Sequence, residues 1–189
     1  MIINKNEQPL GLAPMCLRHF NIILLSLLVY SFIPSNAAQA ATEKLLTIEA
    51  RYKQSDCVIV VSVEGQTSRW SRGRIITEHS VRPVEALKQN CPTSPFKLTM
   101  LGGIVGGIGQ VVPGVPKLKR KNHYLIYLDL HASIGWVPIG IRQGILSMSP
   151  PTNSSLISDY IVNESENRQA SLTFNKYRKK LQTIANRQD

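Results

Sequence analysis

The sequence predicts a mainly β protein, a small five-stranded barrel closed or nearly closed on itself, followed by a C-terminal amphipathic helix. Three observations carry this expectation. Short apolar, β-branched or alternating runs recur at residues 57–63, 75–81, 96–101, 124–130 and 134–148. Twelve glycines and eleven prolines punctuate the intervals, which argues against a helical bundle. A hydrophobic fraction of 43% supplies a core and argues against disorder.

Taken in order, residues 42–54 (TEKLLTIEARYKQ) read as a short helix or an irregular lead-in. Residues 57–63 (CVIVVSV) form an unbroken apolar run, the pattern of a strand buried on both faces. The run fades toward Trp70, and Ser71-Arg72-Gly73 reads as a tight turn. Ile75, Thr77, His79 and Val81 then alternate with Glu78, Ser80 and Arg82, so the two strands make a long hairpin whose second arm is half exposed. Pro83 has to sit at an edge or bulge, since it lacks a ladder donor. Phe96–Leu101 (FKLTML) is a third strand. Residues 102–116 (GGIVGGIGQVVPGVP) read as a structural loop, followed by the cations Lys117, Lys119, Arg120 and Lys121. Residues 124–130 (YLIYLDL) are a fourth strand, and residues 134–148 a fifth, broken by Gly135, Pro138, Gly140 and Gly144. Residues 150–155 (PPTNSS) read as a linker. Beyond them Leu172, Tyr177, Leu181 and Ile184 mark a terminal helix whose outer face carries Lys176, Arg178, Lys179 and Lys180.

The N-terminus reads as an export signal. Residues 22–33 (IILLSLLVYSFI) are uncharged and follow Arg18 and His19; Pro34 breaks the block, and Ala38-Gln39-Ala40 offers the small-x-small exit of a signal peptidase. The block is shorter than the roughly 20 residues of a membrane span, so no span is expected in the mature chain. Met15 offers an alternative start. Cleavage after Ala40 removes Lys5, Arg18 and Glu7, so the formal charge falls by one, from +10 to +9. In a periplasmic or secreted protein such an excess points away from nucleic acid. It points toward lipid head groups, lipopolysaccharide or cell-wall polymers, or else to solubility alone.

Cys57 and Cys91 are the cysteines left after cleavage, in a compartment that permits disulfides. With the hairpin turning near Arg72, Cys57 lies across from about Leu87, and Cys91 is only four residues further on. A Cys57–Cys91 bridge follows, stabilising by about 3–4 kcal/mol on loop-closure grounds.

No catalytic or cofactor site emerges. The glycine block lacks the following helix that a phosphate cradle needs, since Pro113 and Pro116 intervene, and no Gly-Lys-Ser/Thr is present. His79, His123 and His131 form no His-x-His or His-Glu-x-x-His arrangement. Asp56, Asp129 and Asp159 have no evident Ser/His partner, and no Gly-x-Ser-x-Gly elbow occurs. An enzyme would need a pocket gathering at least two of His79, His123, Asp56 and Asp129. The two basic segments are either solvated charge or a contact surface for an anionic envelope component.

Several stretches together resemble a family of exported bacterial proteins of unassigned function, some of which occur as extra domains beside zinc metalloproteases. These are Ser55-Asp56 with CVIVVSVEG, the turn at Ser68-Arg69-Trp70-Ser71-Arg72-Gly73-Arg74, and Val81-Arg82-Pro83-Val84-Glu85-Ala86-Leu87-Lys88. Gly102-Gly103-Ile104-Val105-Gly106-Gly107 and Val112-Pro113-Gly114-Val115-Pro116 complete the set. The strand pattern is also similar to the OB-fold of netrin-like domains and tissue inhibitors of metalloproteinases. The resemblance implies an OB-like barrel over residues 41–149, after a signal at 1–40 and before the linker at 150–155 and a C-terminal extension with its basic helix at 156–189. With no catalytic or cofactor motif in the residues, the expected function is a non-enzymatic, cofactor-free binding domain of the envelope or extracellular space; the resemblance implies the alternative of a protease-associated inhibitor or accessory module, and an unrecognised hydrolase is a further alternative. The inhibitors bind zinc through an N-terminal cysteine, whereas the expected mature chain begins at Ala41, so that route is not supported.

Overall fold

A computed structural model describes residues 45–163 and 172–187; the signal at 1–40 and the alternative start at Met15 lie outside the described residues. The protein is mainly β with a C-terminal helix. Helix α1 (Ile48–Gln54) realises the helical reading of the lead-in, with Thr47 Oγ1 accepting from the Ala50 N–H as an N-cap.

Strand β1 (Cys57–Ser71) runs further than its apolar section and pairs with β2 (Arg74–Ala86) from Ile59↔Ala86 to Ser71↔Arg74. Arg72 and Gly73 join them at φ 48° and 76°, the left-handed two-residue turn whose twist suits a hairpin. Val60 pairs with Glu85 and Val61 with Pro83, so Val84 bulges out and Pro83 sits at that irregularity. Strand β3 (Phe96–Leu101) pairs with β2.

The glycine-rich stretch is more ordered than a loop. Its first half folds as a hairpin of β4 (Gly103–Val105) and β5 (Ile108–Gln110). Strand β6 (His123–His131) pairs with β1 along one edge. The expected fifth strand is two strands: β7 (Gly135–Pro138) and β8 (Ile145–Ser149) pair with different halves of the other edge of β6. A single parallel bridge, Leu98↔Trp136, joins β7 to β3. The order β1-β2-β3-β7-β6 returning to β1 is therefore a ring of five strands. Beyond β8, a 3-10 turn (Ile157–Asp159) leads to β9 (Ile161–Asn163) and β10 (Leu172–Thr173), which extend the sheet. Helix α2 (Phe174–Ala185) follows, so Leu172 stands in a strand just before the helix.

The double burial of β1 now has a cause. Ile59, Val61 and Val63 point into the ring with Val81, Leu98, Met100, Ile126 and Leu128. Val58 and Val60 point outward with Leu125, Tyr127, Leu146 and Met148, and meet Tyr52 of α1 and Phe174, Tyr177, Leu181 and Ile184 of α2. Both helices cover one wall of the ring. Arg51 ties α1 to that wall, donating to the Gln143 carbonyl at 3.1 Å with its guanidinium over the Tyr127 ring.

Cys57 and Cys91 form a disulfide with Cα atoms 5.0 Å apart. The bridge anchors the segment after β2 to the start of β1, as the hairpin register requires. Among the described residues no helix is long and apolar enough to cross a membrane.

Candidate functional site

The loop before β6 is not a free arm. The Lys121 N–H donates to the Val63 carbonyl at 2.7 Å, and the Val63 N–H donates to the Asn122 carbonyl at 3.1 Å. The Lys119 N–H donates to the Tyr124 hydroxyl at 2.8 Å, and Lys121 sits at φ 67°. These bonds continue the β1–β6 ladder into a tight turn and fix the backbone that carries Lys119, Arg120 and Lys121. Lys117 and these three are all exposed.

Arg120 and Lys121 line a groove together with Ser62, Val63, Glu64, Arg82, Val84 and His123. Arg82 reaches it from β2, where it pairs with Glu64 of β1. His123 begins β6, stacks edge-on against Tyr160 with ring centroids 5.3 Å apart, and has its pKa lowered by burial, so it is held toward the neutral form. Among the described residues, the one carboxylate lining the groove, Glu64, is committed to Arg82. Arg120 and Lys121 are thus left to act on whatever enters.

The helix cations divide. Arg178 is half buried, donates to Glu85 at 2.6 Å, and places its guanidinium over the Phe174 ring. Glu85 stands on β2, so this ion pair ties α2 to the long hairpin. Lys176 and Lys179 lie on the exposed face of α2. Lys180 lines a different depression, with Thr47, Glu49, Thr183 and Arg187. The structure therefore docks α2 on the barrel but spreads its cations over more than one place.

The acidic candidates meet elsewhere. Asp56 accepts from the Leu130 N–H at 2.9 Å, and this bond, reinforced by one from Asp129, lowers its pKa. Asp129 is raised, chiefly by its hydrogen bond to Asp56. Both are exposed, where solvent screens them. Lys88, lowered by burial, caps the end of α1 by donating to the carbonyls of Tyr52 (2.8 Å) and Ser55. His79 is buried on β2, far in register from this pair. Ser154 and Asp159 are hydrogen-bonded to each other at 2.7 Å within the 150–159 connection. Among the described residues no group of three or more His, Cys, Asp and Glu is placed to hold a metal ion.

Sequence reasoning found the loop cations but missed Arg82 and His123 as their companions. Arg82 had been placed only on the outward side of its strand. The available signal was the hairpin register, which puts Arg82 opposite Ser62 and one step from Val63. No family model, curated protein or solved structure matches the chain.

Proposed function

We propose that the chain is an exported, non-enzymatic binding domain whose basic groove contacts a phosphate-bearing surface of the cell envelope or extracellular space. The observation that carries this reading is the fixed turn bearing Arg120 and Lys121 beside Arg82 and His123, with its one carboxylate already paired. A rigid display of cations loses less conformational entropy on binding than a flexible basic tail would. The Cys57–Cys91 disulfide supports an oxidising compartment, where the accessible polyanions are head groups and envelope polymers. Membership of the exported family that the sequence resembles belongs to the same proposal.

Lipopolysaccharide binding tests it. Affinity should fall as salt rises from about 0.01 to about 0.15 M, over which the screening length shrinks from about 30 to about 8 Å. Arg120→Gln with Lys121→Gln should remove most of that salt dependence without altering the melting temperature. Binding indifferent to both changes would leave the charge as solubility alone. Inhibition of a metalloprotease in its place would favour the protease-accessory reading. N-terminal sequencing of exported protein should begin at Ala41; an intact Met1 or Met15 would overturn the export step.

A further inference from the structure

Away from the groove, two hairpins carry large apolar side chains into solvent. Trp70 is 49% exposed on β1, Ile104 72% on β4, Ile108 58% on β5, and Val111 91% just after it. The hairpins are built together. The Gly102 N–H donates to the Ile75 carbonyl, the Ile75 N–H to Gln110 Oε1, and the Thr77 hydroxyl to the Gly102 carbonyl, all at 2.7–2.8 Å. Gly103 lies against Ser68 and Thr77 so closely that a Cβ there would stand 2.5 Å from Ser68 Oγ and 2.4 Å from Thr77 Oγ1. Ser68 and Trp70 are two residues apart on one strand and share a face, so Trp70 lies on the side that β4 and β5 cover.

The charge at the turn of the β1–β2 hairpin and along β4 and β5 has one sign. No Asp or Glu occurs between Glu64 and Glu78, nor between Glu85 and Asp129. Arg69 is held by Glu78 at 2.7 Å, while Arg72 and Arg74 are exposed at the hairpin turn. Protein hot spots favour packed pockets, whereas these aliphatic side chains project from narrow hairpins. An exposed indole, exposed aliphatic side chains and exposed arginines on adjoining hairpins suit the head-group boundary, acyl chains and phosphates of a lipid surface.

We propose that the β4–β5 hairpin and the adjoining β1–β2 turn insert shallowly into the head-group boundary of an anionic lipid bilayer. The surface uses different residues from the groove and does not depend on it. Inserting Ile104, Ile108 and Val111 removes apolar area from water, and Arg72 and Arg74 then lie at phosphate depth.

The test uses the full chain carrying Trp136→Phe, which leaves Trp70 as its one tryptophan. Vesicles of phosphatidylglycerol and phosphatidylethanolamine carry bromine at shallow or deep acyl positions. Because residues 22–33 are themselves apolar, insertion is read at Trp70 and not as total bound protein. Trp70 emission should shift to the blue and be quenched more by shallow bromine than by deep. Replacing Ile104, Ile108 and Val111 together with Asn should raise the vesicle concentration for half-quenching by about tenfold or more. Arg72→Gln with Arg74→Gln should raise it on anionic vesicles and not on neutral ones. Quenching should persist in the Arg120→Gln, Lys121→Gln protein, so the two surfaces can fail separately. An unquenched Trp70 overturns the proposal. So does unchanged partitioning of the Asn variant when its near-UV circular dichroism is native. Self-association that the Asn variant abolishes, without quenching in the parent, would assign the patch to a second copy and also overturn it.

Discussion

The hydroxyls of Tyr127 and Tyr177 lie 2.8 Å apart in the buried seam between β6 and α2, hydrogen-bonded across fifty residues of chain. Both rings are at most 1% exposed. An apolar stripe alone lets a helix slide or roll on a sheet; a directional bond within that stripe fixes its rotation. With Tyr177 so held, the next residue, Arg178, meets Glu85 of β2. The seam therefore sets where α2 is tied to the barrel.

Tyr177→Phe should destabilise the domain by about 1–2 kcal/mol, because it removes a bond in a low-dielectric seam. Tyr127→Phe should cost a similar amount. The double variant should lose clearly less than the two singles combined, as expected for groups in direct contact. Urea titrations of the four proteins measure the coupling; additive losses would mean that the two hydroxyls act independently.

The Cys57–Cys91 bridge closes a sequence separation of 34, for which the loop-closure relation gives about 4 kcal/mol. Replacing both cysteines with Ala should lower the melting temperature substantially, and reduction of the parent should reproduce the loss. Thiol titration should find the pair oxidised in native protein. Two free thiols in unreduced material would remove this account of how the segment after β2 is tied down.

Gly103 is required where β4 crosses the β1–β2 hairpin. Its φ of 138° and the two hydroxyls within 2.5 Å of a built Cβ leave no room for a side chain. Gly103→Ala should cost roughly 1–3 kcal/mol. It should also expose the Ile75 amide, whose donor bond to Gln110 depends on β5 staying in place. Faster hydrogen exchange at Ile75 than at Leu98 is the distinguishing readout. Uniform acceleration would mean global destabilisation without release of the hairpin.

Particular residues show what the sequence made legible. Cys57 to Val63 announced burial on both faces, and the structure supplies the reason in the helices over the outer wall. Pro83 announced an edge or a bulge, and Ser71-Arg72-Gly73 a turn, because each is a local backbone constraint. The β4–β5 hairpin was hidden because glycine was weighed as a loop former, although Ile104-Val105 and Ile108 flank Gly106-Gly107 as short strands flank a turn. Strand β9 is three residues long, too short to show a period. Phe174 stands three residues before Tyr177 and in phase with Leu181 and Ile184, so the helical spacing did carry the signal for it as an anchor. Glu85 and Arg178 are joined only by the docking of α2, and no local pattern records an ion pair across 93 residues.

Acid should weaken the fold in two stages, set by neighbouring residues on β2. His79 is 4% exposed, its Nδ1 has no hydrogen-bond partner among the described residues, and burial lowers its pKa. The unfolded chain therefore takes up this proton first, below the ordinary imidazole value of 6.5, and stability falls as pH drops from there toward the depressed folded value. His123, also lowered by burial, adds to the same limb. Glu78 is lowered by its bonds to Lys97 and then Arg69, so its contribution is complete above the ordinary carboxyl value of 4.5 and is lost as pH falls below it. Asp56 acts in the same sense, while Asp129, raised by Asp56, acts against it and softens the second limb. His79→Leu should flatten the first limb and leave the second intact. Lys97→Gln should shrink the second and leave the first. Urea midpoints measured between about pH 3.5 and pH 8 at constant ionic strength separate the two. An unchanged slope between pH 5 and pH 6.5 in His79→Leu would show that this buried imidazole does not drive the first stage.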